Sequence, residues 1–429
     1  MENEKISRRD FLKRLGGTAL TASAFLTGCA KENESSSNVK KEITDGKMTY
    51  RQDSHGEEVS LLGFGCMRLP TMGGGSGRED RQHDIDQEEV NKMVDYALDH
   101  GVNLFDTSPA YCQGRSEKAV GIALSRHPRE RYKVSTKMSN FGDYSAEASL
   151  EMYNNSFKEL QVEQIDYYLL HNVGGGEDSM KTLSDRYLNN GMLDFLLKER
   201  KEGRIKNLGF SYHGDVRIFD YLLSRHEEIH WDFVLIQHNY VDWKHSKETN
   251  KRNTNSEYLY GELEKRDIPV LVMEPLMGGN LAKLNRHATA LLQQRDPEAS
   301  IASWAFRFAG SQPKILSVLS GMTYMEHLKD NIKTYSPLVP IDKDEEKLLD
   351  EIAEIFAKYP TVPCHTCQYC MPCPYGLDIP GIFMHYNKCL NEGLVIENRG
   401  SEQYKEARKA FLVGYDRSVP KLRQANHCI

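Results

Sequence analysis

The chain of 429 residues lacks three features that would each point to a different class of protein. It contains no apolar run of the roughly 20 residues that a membrane-spanning helix needs. It has a formal net charge of -7 and no long Lys/Arg block outside the N-terminus, so nucleic acid is not indicated as a partner. It also has no Gly-x-Gly-x-x-Gly element, which argues against a Rossmann-type dinucleotide site.

The composition is that of a folded protein. With 39% hydrophobic and 27% charged residues, the chain can bury a full-sized core. Its length suits either one large barrel with an appendage or two ordinary domains. Small molecules or proteins are therefore the expected partners.

The N-terminus differs from the rest of the chain. Residues Ser7 to Lys13 read Ser-Arg-Arg-Asp-Phe-Leu-Lys, a weakly apolar stretch runs from Leu15 to Phe25, and Leu-Thr-Gly-Cys ends at Cys29. The first motif resembles a twin-arginine export signal and the last resembles a bacterial lipobox. We expect residues 1–29 to be a signal, Cys29 to carry the only membrane anchor, as a lipid, and residues 30–47 to be a tether. The alternative is a basic amphipathic helix.

The nine cysteines are unevenly distributed. Five of them lie between Cys364 and Cys389, and Cys428 is one residue from the end. A disulfide framework would spread paired cysteines across the fold, whereas the Cys-x-x-Cys-x-x-Cys-x-x-Cys run places four thiols too close for independent bridges. Clustering at this spacing indicates a metal site.

Between about Met48 and Pro340, short β-branched apolar runs alternate with amphipathic helical patterns, which predicts a parallel sheet built from βα units. Eight strands in this pattern predict an α/β fold, a closed (β/α)8 barrel over residues 48–340. Three long connections would lie on the catalytic face, at Thr71 to Arg81, Asn172 to Gly191 and Asp242 to Asn255. The predicted strands are Val59 to Gly65, Val102 to Asp106, Tyr132 to Thr136, Ile165 to Leu170, Ile205 to Gly209, Phe233 to Gln237, Pro269 to Met273 and Ile315 to Leu319.

Two helices are predicted with particular detail. Asp86 is placed to cap a helix whose apolar residues recur from Val90 to Leu98, and Gly101 is placed to end it. After Pro340, the segment Asp342 to Lys358 has the pattern of a charged amphipathic helix, which opens a C-terminal segment over residues 341–429 that holds the cysteine run.

Four polar residues fall at or just after the ends of consecutive predicted strands: Asp106, Tyr111, Lys137 and His171. Any one of them alone would more often be a helix cap, a surface pair or a core residue. Together with their neighbours, in Asn103 to Tyr111, Gly114-Arg-Ser-Glu117, Ser135-Thr-Lys137 and Asp166 to His171, they resemble the aldo-keto reductases. The resemblance covers roughly Met48 to Pro340.

The resemblance implies a role for each of these four residues. Carbonyl reduction needs hydride on carbon and a proton on oxygen, and an unaided tyrosine with a pKa near 10 is a poor proton source. Tyr111 would be the acid, the Lys137 ammonium would lower its pKa, Asp106 would fix Lys137, and His171 would orient the substrate carbonyl.

The resemblance also implies a nicotinamide dinucleotide, NADP or NAD, as cofactor. Two departures from the family pattern bear on it. Met273 stands where many members have an aromatic residue that stacks on the nicotinamide, and no Arg or Lys follows Gly321 until Lys329, so no clamp for a 2′-phosphate is evident. The residues that would bind the cofactor are Ser211, Gln237, Pro275, Leu276, Gly321, Met322 and Asn331.

The cysteine run Cys364, Cys367, Cys370 and Cys373, followed by Pro374, resembles a ferredoxin-type segment and, with the barrel, a ferredoxin-fused branch of the family. A 4Fe-4S cluster is the leading prediction, with zinc or chance as alternatives. Bacterial runs have three residues before the last cysteine and this one has two, so the fourth ligand stays open between Cys373, Cys389 and Cys428. We expect Cys66 and Cys112 to be barrel thiols, with Cys112 lining the site.

The sequence therefore predicts an exported, periplasmic or cell-surface oxidoreductase that moves hydride between NAD(P)(H) and a small-molecule carbonyl or alcohol. An electron-transfer protein is a further candidate partner for the cluster. Because free nicotinamide cofactor is scarce outside the cytoplasm, we expect the dinucleotide to be tightly bound. The alternative is a redox sensor or binding module that holds cofactor and cluster without turnover.

Overall fold

The computed structural model describes residues 46–175, 178–358, 362, 364, 370–396 and 399–425. The predicted signal, with Cys29, and nearly all of the tether lie outside the described residues, as do Cys367 and Cys428. Within the described part of the chain, no helix is both long enough and apolar enough to cross a membrane.

Ten strands form a hairpin and a closed barrel. The hairpin pairs β1 with β2 in antiparallel fashion, and the barrel is parallel throughout, in the order β3-β4-β5-β6-β7-β8-β9-β10 with β10 returning to β3. The predicted (β/α)8 barrel is confirmed. The strands are β1 Tyr50–Gln52, β2 Glu58–Ser60, β3 Leu62–Gly65, β4 Leu104–Asp106, β5 Lys133–Met138, β6 Ile165–Val173, β7 Ile205–Tyr212, β8 Phe233–Gln237, β9 Val270–Met273 and β10 Ile315–Gly321.

The first predicted strand, Val59 to Gly65, is wrong as a single element. The chain bends at Leu61, so that residues before it complete the hairpin and residues after it form the first barrel strand. Val59 is fully buried and joins the cluster of side chains inside the barrel, which includes Leu104 and Tyr167. The hairpin therefore closes the N-terminal mouth of the barrel, and its apolar residues read in sequence like part of the next strand.

The helices of eight or more residues follow the strands in alternation. The helix predicted from Asp86 is confirmed, since the Asp86 side chain accepts a hydrogen bond from the Glu89 amide at 3.0 Å. These helices are α1 Gln87–Asp99, α2 Ser116–Leu124, α3 Ala146–Leu160, α4 Met192–Lys201, α5 Val216–Ser224, α6 Asp242–Thr249, α7 Ser256–Glu264, α8 Arg286–Arg295, α9 Ile301–Ser311, α10 Met325–Thr334, α11 Lys343–Lys358, α12 Ile379–Asn391 and α13 Tyr404–Ser418.

Helix α11, predicted from the amphipathic pattern after Pro340, packs on the barrel. Its residues Leu349 and Ile352 are fully buried in one cluster with Trp304 of α9. The Arg307 guanidinium of α9 also pairs with the Glu345 carboxylate at 2.6 Å. The barrel unit thus continues past residue 340, where the sequence placed a domain boundary.

The C-terminal segment lies against loops at the C-terminal mouth of the barrel. The Asn391 side chain of α12 donates to the Lys283 carbonyl, in the connection after β9, at 2.9 Å. A groove of about 600 Å³ lies between the connection after β3 and the cysteine run, and Asp80, Gln82, Met371 and Cys373 are among its lining residues. In barrel enzymes this mouth is where chemistry takes place, so the segment borders the catalytic face.

Candidate active site

Asp106 and Lys137 form a buried ion pair at the ends of the neighbouring strands β4 and β5. The Lys137 ammonium donates to both Asp106 carboxylate oxygens and to the Thr107 carbonyl, each at 2.7 Å. The Ser135 hydroxyl donates to the same carboxylate at 2.7 Å. Desolvation lowers the pKa of the fully buried Lys137, but the interactions with Asp106 and Tyr111 together outweigh that cost, so the pKa is raised. The ammonium is therefore held charged and fixed in place.

Tyr111 follows β4 at the start of a left-handed turn. Cys112 and Gln113 have φ of 51° and 55°, a conformation that costs energy for residues other than glycine and that aims Tyr111 at the mouth. The Lys137 ammonium nitrogen lies 4.9 Å from the centre of the Tyr111 ring, close enough for its positive charge to act on the phenol.

The pKa of Tyr111 differs from the sequence-based expectation. Desolvation of the buried phenol raises the pKa by more than the Lys137 charge lowers it, and Asp106 opposes Lys137 by repelling the phenolate. Lys137 lowers the Tyr111 pKa, as expected, but the net shift is upward because desolvation outweighs that charge. The phenol stays protonated at neutral pH, which is the state that an acid requires.

His171 lies inside β6, near its end, rather than after it, and its ring faces the Tyr111 ring at a centroid distance of 5.9 Å. Burial lowers the pKa of His171 well below its ordinary value, and the positive charges of Lys137 and Arg186 add to that effect. The ring is therefore neutral. A neutral imidazole placed beside a protonated phenol can share with it the hydrogen bonds to a carbonyl oxygen.

The residues predicted to bind the cofactor lie on four adjacent strands, next to the three strands that carry the tetrad. Ser211 is near the end of β7, and Gln237 ends β8, where it pairs with Met273 of β9. Pro275 and Leu276 follow β9. On the fourth strand, β10, the Ser320 hydroxyl accepts a hydrogen bond from the side-chain amide of Asn331, on α10, at 2.9 Å. Gly321 ends β10 and Met322 follows it.

Arg68 is a residue of this region that the sequence did not point to. It lies after β3, yet a Cβ atom placed on Gly321 would be only 3.1 Å from the Arg68 Cδ, and the Thr323 hydroxyl donates to the Arg68 carbonyl at 2.9 Å. The Arg68 Nη2 atom is buried without a hydrogen-bond partner in the described part of the chain. A buried, unsatisfied guanidinium nitrogen at this position fits a phosphate oxygen of a dinucleotide. The sequence has no Arg or Lys after Gly321 until Lys329, but the fold places the Arg68 side chain next to Gly321. The expectation that no cation lies near Gly321 is therefore wrong.

Tyr187 is a second residue that the sequence missed. Its hydroxyl accepts from the His171 amide at 2.9 Å, and the Met138 carbonyl at the end of β5 lies 3.0 Å away as an acceptor. The Arg186 guanidinium beside it packs on the Tyr187 and Phe141 rings. These contacts tie the ends of β5 and β6 together. Both residues belong to the long connection after β6, which gave no readable motif.

The two barrel thiols are buried. Cys66 and Cys112 are 1% and 2% exposed, and burial raises the pKa of Cys112 to about 11. The Cys112 thiol lies against the Met67 carbonyl at 3.4 Å, so it is enclosed by the turn that carries Tyr111 instead of lining the open site.

Three of the four cysteines of the run are described, namely Cys364, Cys370 and Cys373, and Cys370 and Cys373 are free thiols. Among the described residues, no three His, Cys, Asp or Glu side chains are grouped to hold a metal ion, and Cys367 is not among them. Cys389 is 2% exposed and its thiol faces His385, 3.4 Å from Nε2, on the side of α12 that packs against α13.

A model described as the aldo/keto reductase family matches residues 62–354. The chain belongs to this family. As a member it is an NAD(P)-dependent oxidoreductase of the type that acts on small carbonyl compounds.

Three curated relatives of this aldo/keto reductase differ in sequence identity and in the length of chain that they match. A probable aldo-keto reductase of Glycine max is 32% identical over 37% of the chain, a match that spans 43% of its own length. L-galactose dehydrogenase of Arabidopsis thaliana is 24% identical over 68% of the chain and 89% of its own length. NADH-specific methylglyoxal reductase of Escherichia coli is 25% identical over 69% of the chain and 95% of its own length.

Solved structures confirm the fold. An aldo-keto reductase of Bacillus halodurans in its holo form superimposes with a TM-score of 0.55 at 21% identity, covering 71% of this chain and 96% of that one. An aldo-keto reductase of Klebsiella pneumoniae in complex with NADPH gives a TM-score of 0.54 at 18% identity, covering 72% and 96%.

Proposed function

We propose that this aldo/keto reductase is an exported enzyme in which Tyr111 is the acid–base group for reduction of a small carbonyl compound or oxidation of the alcohol. The observation that carries the proposal is the buried Asp106–Lys137 pair beside a protonated Tyr111, with the Lys137 ammonium 4.9 Å from the tyrosine ring and neutral His171 at the edge of that ring. A bound nicotinamide would supply hydride to the substrate carbon or accept it.

The residues of the chain account for the proton. In reduction, Tyr111 donates its proton to the substrate oxygen as negative charge develops there, and the phenolate that remains is stabilised by the Lys137 ammonium. Asp106 keeps that ammonium in position. His171 donates a hydrogen bond to the same oxygen and sets the orientation of the carbonyl. In oxidation the same steps run in reverse, with Tyr111 as base.

The proposed dinucleotide, NADP or NAD, rests on two features of the site. The Arg68 guanidinium pairs with Glu79 through Nη1 and keeps its buried Nη2 near Gly321, where it would donate to a phosphate oxygen. Ser211 and Gln237, at adjacent strand ends, offer a hydroxyl and a carboxamide to the nicotinamide amide group. The Klebsiella pneumoniae structure contains NADPH and the Escherichia coli reductase is NADH-specific, so the relatives include both cofactors.

A variant of Tyr111 tests the catalytic proposal. Tyr111→Phe removes only the hydroxyl, and we expect kcat for an aldehyde or ketone panel to fall by about 10²- to 10⁴-fold, with cofactor affinity unchanged. Tyr258→Phe, at an exposed tyrosine of α7, is the matched control and retains full activity. A wild type that reduces no member of the panel, while Tyr111→Phe binds cofactor equally, would instead favour a sensor or binding module.

For the cysteine run we propose a 4Fe-4S cluster on Cys364, Cys367, Cys370 and Cys373. Support comes from the placement of Cys389, the alternative fourth ligand. Asn387 of α12 hydrogen-bonds Val362 through both its amide atoms at 2.8 Å, so the start of the run lies along that side of the helix. Cys389 is two residues further on and points elsewhere, toward His385, because positions i and i+2 of a helix do not share a face.

The cluster is tested by iron and sulfide analysis of anaerobically purified protein. We expect Cys373→Ser to lose iron and sulfide and Cys389→Ser to keep both. Zinc in place of iron, or iron loss from Cys389→Ser alone, would contradict this ligand set. Since Cys373 lines the groove beside Asp80, a cluster here would border the catalytic face, where an electron-transfer protein could reach it.

Export and lipid anchoring are proposed from the N-terminal motifs alone. Changing Arg8 and Arg9 to Lys should leave the protein in the cytoplasm, and Cys29→Ala should release it from the membrane fraction. Nicotinamide found in the supernatant of denatured, purified protein would support export with the cofactor bound. A wild-type protein that is cytoplasmic and not acylated would contradict the proposal.

A further inference from the structure

Two buried serines form a chain of hydrogen bonds that ends on His171. The Ser108 and Ser139 hydroxyl oxygens are 2.7 Å apart, and the Ser139 oxygen is 2.6 Å from His171 Nδ1. Ser108 follows β4 and Ser139 follows β5, so the closure of the barrel brings them together. Their exposed fractions are 0% and 5%, and water does not provide substitute partners.

Counting protons fixes the direction of the chain. The Ser108 oxygen accepts from the Ala110 amide at 3.1 Å, and its own proton has the Ser139 oxygen as its short-range acceptor. If Ser139 then donates to His171 Nδ1, both serine protons lie in bonds of 2.7 Å or less. The reverse direction would send the Ser139 proton to the Lys137 carbonyl at 3.4 Å, which is a weak bond.

We propose that Ser139, supported by Ser108, is a positioning residue that holds His171 in the tautomer with its proton on Nε2. His171 then presents a hydrogen-bond donor to the substrate carbonyl oxygen. The inference deepens the proposed function and rests on it for the role of His171, although the tautomer itself is a property of the protein without substrate. In the other tautomer, Nε2 would present a lone pair and repel the carbonyl oxygen.

The groups around the His171 ring keep it neutral, so the question that remains is which ring nitrogen carries the proton. The ionisable groups around the ring are Lys137 on β5, His213 after β7 and Arg186 in the connection after β6, with Tyr111 against its edge. Lys137 and Arg186 carry positive charge, and burial lowers the pKa of His213 to about 4, so a second proton on the buried His171 is disfavoured. A neutral ring must keep its single proton on one nitrogen, and the serine chain selects which.

Nitrogen NMR of the full-length protein labelled with 15N-histidine tests the tautomer directly. The His171 signals are identified by their loss in His171→Gln. We expect an unprotonated Nδ1 and a protonated Nε2 in the wild type, a mixture of tautomers in Ser139→Ala, and the wild-type pattern in Ser139→Thr, which keeps the hydroxyl. A protonated Nδ1 in the wild type, or no change in Ser139→Ala, would overturn the inference.

Kinetics tests whether the tautomer matters. With an aromatic aldehyde such as 4-nitrobenzaldehyde as probe, Ser139→Ala should lower kcat by about tenfold, the equivalent of one lost hydrogen bond, with cofactor Kd unchanged. Ser139→Thr should restore kcat. In a His171→Gln background, Ser139→Ala should have no further effect, because Ser139 acts through His171. Additive losses would overturn the inference.

The control for these kinetics is Ser317→Ala, a fully buried serine of β10 whose hydroxyl donates to the Ser60 backbone away from the catalytic mouth. It should keep the wild-type kcat. Absence of any carbonyl reduction in the wild type would count against the proposed function, whereas the NMR result decides the tautomer separately.

Discussion

The side chain of Arg68, after the first barrel strand, lies over the backbone of Gly321 at the end of the last one. This contact joins the two strands that close the barrel and puts a cation at the expected phosphate site. Arg68→Gln should raise the Kd for NADPH or NADH by about 10- to 100-fold, the loss of one hydrogen bond to a charged group. Fluorescence titration measures it. Arg126→Gln, at an exposed surface pair with Asp95, is the control and should leave both Kd values unchanged.

The raised pKa of Tyr111 predicts different pH profiles for the two directions of reaction. Reduction uses the protonated phenol, so its kcat should be flat from about pH 6 to about pH 9. Oxidation uses the phenolate, so its kcat should rise throughout that range, because the pKa lies above the ordinary tyrosine value. Steady-state rates in both directions measure the profiles. A plateau of the oxidation rate near pH 7 would contradict the raised pKa of Tyr111.

The buried Asp106–Lys137 pair predicts non-additive effects on stability. Asp106→Asn leaves a fully buried ammonium without its counter-ion and should lower the free energy of unfolding by about 3–5 kcal/mol. Lys137→Met should have an effect of similar size. The double variant should lose less than the sum of the two, since no uncompensated charge remains. Urea denaturation checks this, and additive losses would contradict the pairing. All three variants should lose activity.

Glu117 predicts a pH dependence of stability. It is 4% exposed, accepts a hydrogen bond from Thr136, and desolvation raises its pKa to about 7. A carboxyl whose pKa is raised on folding stabilises the fold when protonated, so its contribution is lost as pH rises from about 4.5 to 7. Glu117→Gln mimics the protonated form and should stabilise the protein by about 3 kcal/mol at pH 8 but little at pH 5.

Denaturation of Glu117→Gln and the wild type at the two pH values gives the comparison. Glu151→Gln is the control, since this glutamate is exposed on the surface of α3. Equal stability differences at both pH values would mean that Glu117 does not titrate between them.

The sequence predicted those parts of the fold that depend on local pattern. Alternating apolar runs located all eight barrel strands, because a parallel strand is buried on both faces whatever its neighbours are. The helix from Asp86 followed from its cap and its apolar spacing. The end of β6 did not follow, because the polar His171 and Asn172 lie in a register shift and the strand resumes its pairing with β7 only at Val173. The break at Leu61 was missed because hairpin and barrel residues are equally apolar.

The sequence by itself determined the barrel, the family and the four residues Asp106, Tyr111, Lys137 and His171, since each stands in a short motif that is contiguous in the chain. Tertiary structure alone decided which distant side chains meet and how deeply they are buried. The raised pKa of Tyr111, the position of Arg68 and the contact between Ser139 and His171 all arise from closure of the barrel. Desolvation and contact depend on distance in space, and a linear pattern of residues does not contain that distance.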